Sequence, residues 1–413
     1  MDDITKLVRD CSADMISLRR DIHQRPELGY QEERTSGLVR KYLAETPGLE
    51  VTTMTKTGVV GLLKGLKKPD ETESGPEKSP SPTLLLRADL DALPLTEETG
   101  LSFASTTPGV MHACGHDAHT AILVYAAKIL STLADSFAGN VKFVFQPNEE
   151  EVGAYAMIEE GVLDNPKVTA AAALHLWAPI ELGKISVADG VSWAGMDHFK
   201  IKVVGVGGHT GSPHLAADPI LAAAQIVCGA QLLQSRNIDP LLSSALVFGR
   251  IEGGKTANVI PPEVELEGTL RYLFDGRDDS PSRPRTKFKA LVENIAVAYG
   301  TKAEVDYYCS QPPLTNDPKM ASLARQAASE TLGPESLTAF LNMGGEDFSE
   351  FSARVPSVMA MIGAGSVESG AIYPHHSPKF LLDERALPIA LEWLCRLALA
   401  YFKNPKAVSA MTD

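Results

Sequence analysis

The stretch Met111-His112-Ala113-Cys114-Gly115-His116-Asp117-Ala118-His119 sets three histidines, a cysteine and an aspartate within nine residues. Apolar residues follow it at a helical period: Ile122, Ala126, Ile129, Leu130 and Leu133. A 3.6-residue repeat marks an amphipathic or buried helix, so the cluster sits on a loop that feeds a helix. Thiolate and imidazole two residues apart can converge on one borderline-soft divalent cation. The plainer alternative is a polar helix start capped by Asp117 or Thr120.

Outward from that loop, strand and helix signals alternate. Val59-Val60-Gly61-Leu62-Leu63 and Thr83-Leu84-Leu85-Leu86-Arg87-Ala88 read as strands, as do Val141-Lys142-Phe143-Val144-Phe145 and Val168-Thr169-Ala170-Ala171-Ala172-Ala173-Leu174. Residues 13–25 and 32–45 read as amphipathic helices, joined by His23-Gln24-Arg25-Pro26-Glu27-Leu28. His23 reads as a helix-end or structural residue. The alternation predicts an α/β fold: a mostly parallel sheet with helices on both faces. The Pro-, Ser- and charge-rich segment 67–80 reads as a loop.

The pattern changes near residue 196. Phe199, Ile201 and Val203 alternate with lysines, as in a sheet with one wet face. Asp218-Pro219 opens a helix with an N-cap and a proline in its first turn. Strands at Ala245–Phe248 and Val264–Leu270 follow, then a helix carrying Phe288, Val292 and Ile295, then alternation at Ala303–Tyr307. This is the βαββαβ order of a ferredoxin-like unit. The expected organisation is a catalytic domain of 1–195 and 309–413, interrupted by a second domain of 196–308. A length of 413 residues fits two cores better than one.

Composition narrows the partners. Lysine and arginine total 38 against 52 acidic residues, a net charge of −14. Without a basic block, neither nucleic acid nor an anionic membrane surface is an expected partner. No run approaches the ~18 apolar residues that would span a bilayer. The five cysteines are scattered, and the first residues lack an apolar run after a basic start. A reducing, cytoplasmic setting is therefore expected.

Several chemistry-bearing residues fall at strand ends. Asp89 and Asp91 follow one buried strand, though an ordinary turn with solvated aspartates would look the same. Glu149-Glu150-Glu151 follows another, and His175 ends a third. A charge run is usually a solvated loop, but this one lies at the sheet edge where α/β folds collect ligands. With Cys114, His116 and one of His375 and His376, the set offers five donors, more than one tetrahedral ion needs. Two divalent ions about 3.5–4 Å apart would use them all. One glutamate of the tandem would bind metal while its neighbour moves protons.

Ten segments in order resemble the M20 family of metallopeptidases and amidohydrolases, in the branch of auxin-conjugate hydrolases, hippurate hydrolases and N-acyl-amino acid deacylases. They are His23–Leu28, Arg87–Pro94, the opening cluster, Phe145–Glu150, Leu174-His175, Gly207-Gly208-His209, Ala257–Pro261, Gly268–Arg271, Glu346-Asp347-Phe348 and His376-Ser377-Pro378. The resemblance implies metal ligands Cys114, His116, Glu150, His175 and His376, with Glu149 as general base and proton shuttle. It implies Asp91 as an orienting residue behind a ligand, and His112 and His119 as structural or supporting. The second domain would be a lid and dimerisation domain. His209 would stabilise the oxyanion, in its own or the partner subunit's active site. Asn258 would help hold the oxyanion or the substrate carboxylate, and Arg271 would grip that carboxylate. Arg271 read by itself is equally a surface arginine. The implied cofactor is a pair of divalent ions, Zn, Mn, Co or Ni. The implied substrate is an N-acyl amino acid or peptide, and the implied assembly a homodimer or higher oligomer. A dipeptidase or aminopeptidase of the same family is the alternative activity, and a catalytically idle binding protein a more distant one. Glu151 stands where the family usually has Gly, Gly345 where it often has Ser, and the 67–80 loop is long for the family; these departures bear on substrate choice.

Overall fold

The computed structural model describes residues 3–67, 81–405 and 408. The 67–80 loop lies, but for its first residue, outside them. The described chain forms two compact units. One comprises the residues up to Gly190, Thr315–Phe340 and those from Glu350 onward; the other is Val191–Leu314 with Leu341–Ser349. The second range differs from 196–308 and takes in the Gly344–Phe348 run, which the sequence placed in the larger domain.

The larger unit opens with two helices, α1 (Asp3–His23) and α2 (Glu33–Ala44). α1 starts ten residues before its expected position. Val8, Met15, Leu18 and Ile22 form its buried face, and they keep the i, i+7, i+10, i+14 spacing of one helix stripe. A hairpin follows, β1 (Leu49–Met54) and β2 (Gly58–Lys64). Its turn residues Thr55 and Lys56 both have positive φ, 44° and 60°, the backbone that matches the right-handed twist of paired strands.

The sheet continues through β3 (Thr83–Asp89), β4 (Asn140–Gln146), β5 (Ala170–Glu181) and β6 (Ile185–Ser186). It takes in the strands Ser357–Gly365 and Leu337–Thr338 as well. The eight strands lie in the order β1, β2, β4, β3, β5, Ser357–Gly365, β6, Leu337–Thr338. The four central ones, from β4 to Ser357–Gly365, pair in parallel, and antiparallel pairs flank them. Every residue of β3 and of Ser357–Gly365 is buried. Strands covered on both faces have no wet side to alternate with, which is why they read as continuous apolar runs.

Register sets the site. Asp89 pairs with Gln146, and Arg87 with Ala173. His175, two residues past Ala173, is therefore level with Asp89, and it pairs with Met361 on its other side. The carboxyl ends of neighbouring strands thus meet at one edge. Helix α3 (His116–Thr132) starts there from Gly115, whose φ of 92° suits a glycine.

The smaller unit has a four-stranded antiparallel sheet. Its strands Ser244–Glu252, Glu263–Tyr272, Gly195–Val204 and Lys302–Gln311 lie in that spatial order. Its helices are Pro219–Gly229 and Pro284–Ala298, and the chain order is βαββαβ. Phe199, Ile201, Val203, Leu266, Phe288 and Val292 are fully or almost fully buried in one core. On the other face Lys200 pairs with Glu265 at 3.0 Å and Lys202 with Glu263 at 2.8 Å. The Asp218 carboxylate accepts from the N–H groups of Ile220 and Leu221, capping its helix.

Candidate metal centre

The loop after β3, the start of α3, the turn after β4, the end of β5 and the segment after Ser357–Gly365 converge at the sheet edge. Cys114 Sγ lies 3.5 Å from His175 Nε2 and 3.8 Å from His375 Nδ1. His116 Nε2 lies 3.8 Å from Glu149 Oε2, and His376 Nε2 lies 3.3 Å from Glu150 Oε1. Donor atoms of Cys114, Glu150 and His376 lie within 4.8 Å of one another, as do those of His116, Glu149 and Glu150. The side chains of Cys114, His116 and His175 are buried, and Glu149 and Glu150 are partly so.

The hydrogen bonds around these donors favour cation binding. His116 directs Nδ1 at the backbone carbonyl of Asp91, 2.9 Å away, and His175 directs Nδ1 at the carbonyl of Leu176, also 2.9 Å. A carbonyl only accepts, so in both rings Nδ1 carries a proton and Nε2 is the nitrogen that faces inward. Ligating histidines are held this way as a rule. Among the described residues, buried His116 Nε2 has no hydrogen-bond partner, and Glu150 Oε1 has none beside its ion-pair contact with His376. Orphaned buried donors and acceptors of this kind fit a divalent ion. Asp91 supports the arrangement from behind: its Oδ1 is 3.3 Å from His116 Nδ1 and its Oδ2 accepts the N–H of Glu150 at 3.1 Å.

Charge follows from burial and neighbours. Burial would raise the Asp89 carboxyl, but the adjacent His116, His119 and Arg87 hold it well below the usual carboxylate range. Burial pushes the Cys114 thiol up. A bound cation reverses that balance by stabilising the thiolate. Burial holds the His175 imidazole neutral, the form a ligand needs.

His119 belongs to the support. Its Nδ1 is 2.7 Å from Asp89 Oδ1, and its Nε2 accepts the N–H of Leu176 at 3.0 Å. Both ring nitrogens are occupied, although the ring lies among His116 and His175. Neither Asp117 nor Thr120 caps α3. The Asp117 carboxylate pairs with Arg19 at 2.7 Å and with His23 at 2.8 Å, all three buried, and the Thr120 hydroxyl bonds to the carbonyl of Asp89. His23 thus has a structural partner 94 residues away in sequence.

The two tandem histidines differ. His375 stacks on Trp177 with ring centroids 4.0 Å apart, and its Nε2 accepts the Ala178 N–H at 3.2 Å. His376 has a φ of 63°, a half-exposed side chain and the contact with Glu150.

In the smaller unit, His209 and Asn258 are exposed and adjoin: the Thr210 N–H reaches the Asn258 carbonyl at 3.3 Å, and His209 pairs with Val259. His209 Nδ1 accepts the Gly211 N–H at 2.9 Å, so its proton is on Nε2. Arg271 is half-buried, and one guanidinium nitrogen donates to the Met343 carbonyl at 2.9 Å. No sequence signal pointed to Glu32 or Arg19, whose contacts with Asn148 and Asp117 span more than ninety residues.

The chain belongs to peptidase family M20/M25/M40, which it matches over residues 85–400. Among individual relatives, it is 36% identical to N-acetylcysteine deacetylase of Bacillus subtilis, over 95% of this chain and 98% of that one. It is 38% identical to the N-acyl-L-amino acid amidohydrolase of Geobacillus stearothermophilus, over 76% and 81%. Its fold matches the crystal structure of Bacillus subtilis YXEP, a dinuclear metal-binding peptidase of the M20 family. The TM-score is 0.80 at 32% identity, covering 96% of this chain and 99% of that one.

Proposed function

We propose that this protein is a binuclear metal-dependent amidohydrolase that cleaves the amide between an acyl group and the nitrogen of an amino acid. The observation that carries the proposal is the convergence of donors from Cys114, His116, Glu150, His175 and His376, with Glu149 beside them. Similarity to deacylases of N-acyl amino acids supplies the substrate class.

Bound there, two divalent cations (Zn, Mn, Co or Ni) would polarise the amide carbonyl and acidify water. Glu149 takes the proton of the attacking water and delivers it to the leaving nitrogen. The Nε2–H of His209 donates to the oxyanion, and Arg271 and Asn258 hold the substrate carboxylate. Asp91 keeps His116 and the Glu150 backbone in place. Water and amide are consumed; a carboxylic acid and an amine are released. The smaller unit serves as lid and dimerisation module of a cytoplasmic enzyme.

Glu149→Gln keeps the size and removes the base. Turnover of N-acetyl amino acids is expected to vanish while bound metal per chain stays at the wild-type level. Retained turnover would remove Glu149 from its role. A panel of N-acyl amino acids beside the matching dipeptides separates deacylase from dipeptidase.

A further inference from the structure

We propose that Glu32 is a positioning residue that holds the Glu149 loop in its working geometry. The inference rests on the reading of Glu149 as general base.

β4 ends at Gln146, and Pro147 brings no N–H to the turn. Asn148, directly before Glu149, has a φ of 55°, in the left-handed region. Asn tolerates that region better than other non-glycine residues, and its neighbours fix it there. The buried N–H of Asn148 donates to Glu32 Oε1 at 3.0 Å. The other Glu32 oxygen accepts the Thr57 hydroxyl at 2.6 Å. Glu32 is fully buried. Thr57 is itself fixed by the β1–β2 turn, where its N–H reaches the Thr55 carbonyl at 2.6 Å and the Thr55 N–H reaches Glu160 at 2.8 Å.

The Asn148 side chain packs against Gly29; a Cβ at that glycine would lie 1.9 Å from its Oδ1. The far side of the loop is closed by Gly153, whose N–H donates to the Asn148 carbonyl at 2.7 Å. The Glu149-Glu150 segment therefore hangs between two buried carboxylates. Glu32 grips the N–H before it, and Asp91 grips the N–H of Glu150 within it. A carboxylate is costly to bury, and an amide or hydroxyl could satisfy one N–H at lower cost. What Glu32 adds over a single acceptor is a second oxygen, which ties the Asn148 N–H to the Thr57 hydroxyl of the β1–β2 turn. Glu32 touches neither ligand donor nor base; it acts through the backbone of Asn148.

The test uses metal-loaded full-length Glu32→Ala, Glu32→Gln and Thr57→Val, with kcat, KM and bound metal measured on an N-acyl amino acid. Misplacement of a reacting group by ~1 Å costs ~10²-fold. Glu32→Ala should lower kcat by about that factor, with KM and metal content near wild type. Glu32→Gln should recover most of the rate, because its amide oxygen still accepts from Asn148 and the Thr57 hydroxyl can reverse its bond. Thr57→Val should fall between. On a Glu149→Asp background, where the carboxylate is already displaced, Glu32→Ala should cost much less than in wild type. Wild-type kcat in Glu32→Ala, an equal loss on the Glu149→Asp background, or a loss that tracks missing metal would each overturn the proposal. Should Glu32→Ala fail to fold, Thr57→Val decides: an unchanged kcat refutes it. Turnover surviving in Glu149→Gln would sink the base assignment and this inference together. An inert Glu149→Gln beside a fully active Glu32→Ala would sink this inference alone.

Discussion

Replacing His119 with alanine separates a supporting histidine from a ligand. The ring joins three elements: its Nδ1 bonds Asp89 at the end of β3, its Nε2 accepts the Leu176 N–H on β5, and its backbone belongs to α3. Alanine leaves the buried Leu176 N–H without its acceptor, which costs about 1–3 kcal/mol. It removes a charge-assisted bond to Asp89, worth about 1.5–3 kcal/mol, although Arg87 at 2.8 Å still partners that carboxylate. Partial relaxation reduces the sum, so a loss of about 3 kcal/mol is expected. Chemical denaturation of chelator-treated protein measures it without any contribution from bound cations. At saturating metal, His119→Ala should still bind wild-type stoichiometry. Metal-free His119→Ala as stable as metal-free wild type, with one cation fewer per chain, would refute the reasoning and make His119 a ligand.

Asp91→Asn should weaken metal binding or activity by about 10–100-fold, the usual effect of removing a partner that orients a ligating histidine; competition with a fluorescent chelator checks it. Cys114→Ser exchanges a soft donor for a hard one, so cation content after dialysis should drop while metal-free stability changes little. Burial pushes the His112 imidazole down to about 4, against a usual value near 6.5. The unfolded chain therefore binds the extra proton between those values, and stability is lost as pH falls from about 6.5 towards 4. A shift of that size corresponds to about 3 kcal/mol. Denaturation of metal-free protein across that range should show the slope, and His112→Gln should reduce it, leaving the part due to the other histidines that desolvation holds neutral, His175 and His375.

Much of this was legible in the chain itself. Runs such as Thr83–Ala88 and Val141–Phe145 are apolar without interruption, and that is a local property of strands covered on both faces. The Cys114-Gly115-His116 spacing and the strand-end carboxylates are local as well, so the kind of chemistry could be read before any contact was known. Resemblance over ten segments then supplied the family. Periodicity misjudged element lengths, since α1 starts ten residues before its clearest amphipathic stretch and β1 carries only a half-buried pattern.

Tertiary structure decided how each side chain is used. His119 and His116 lie one helical turn apart and look equivalent as letters. Only the register of β3 against β5 gives one of them Asp89 and Leu176 as partners, and leaves the other with an unengaged Nε2. Glu32 and Asn148, 116 residues apart, meet because the start of α2 and the turn after β4 come together in the folded unit. Periodicity is fixed by the backbone within a few residues, whereas hydrogen-bond partners are chosen by packing across the whole unit.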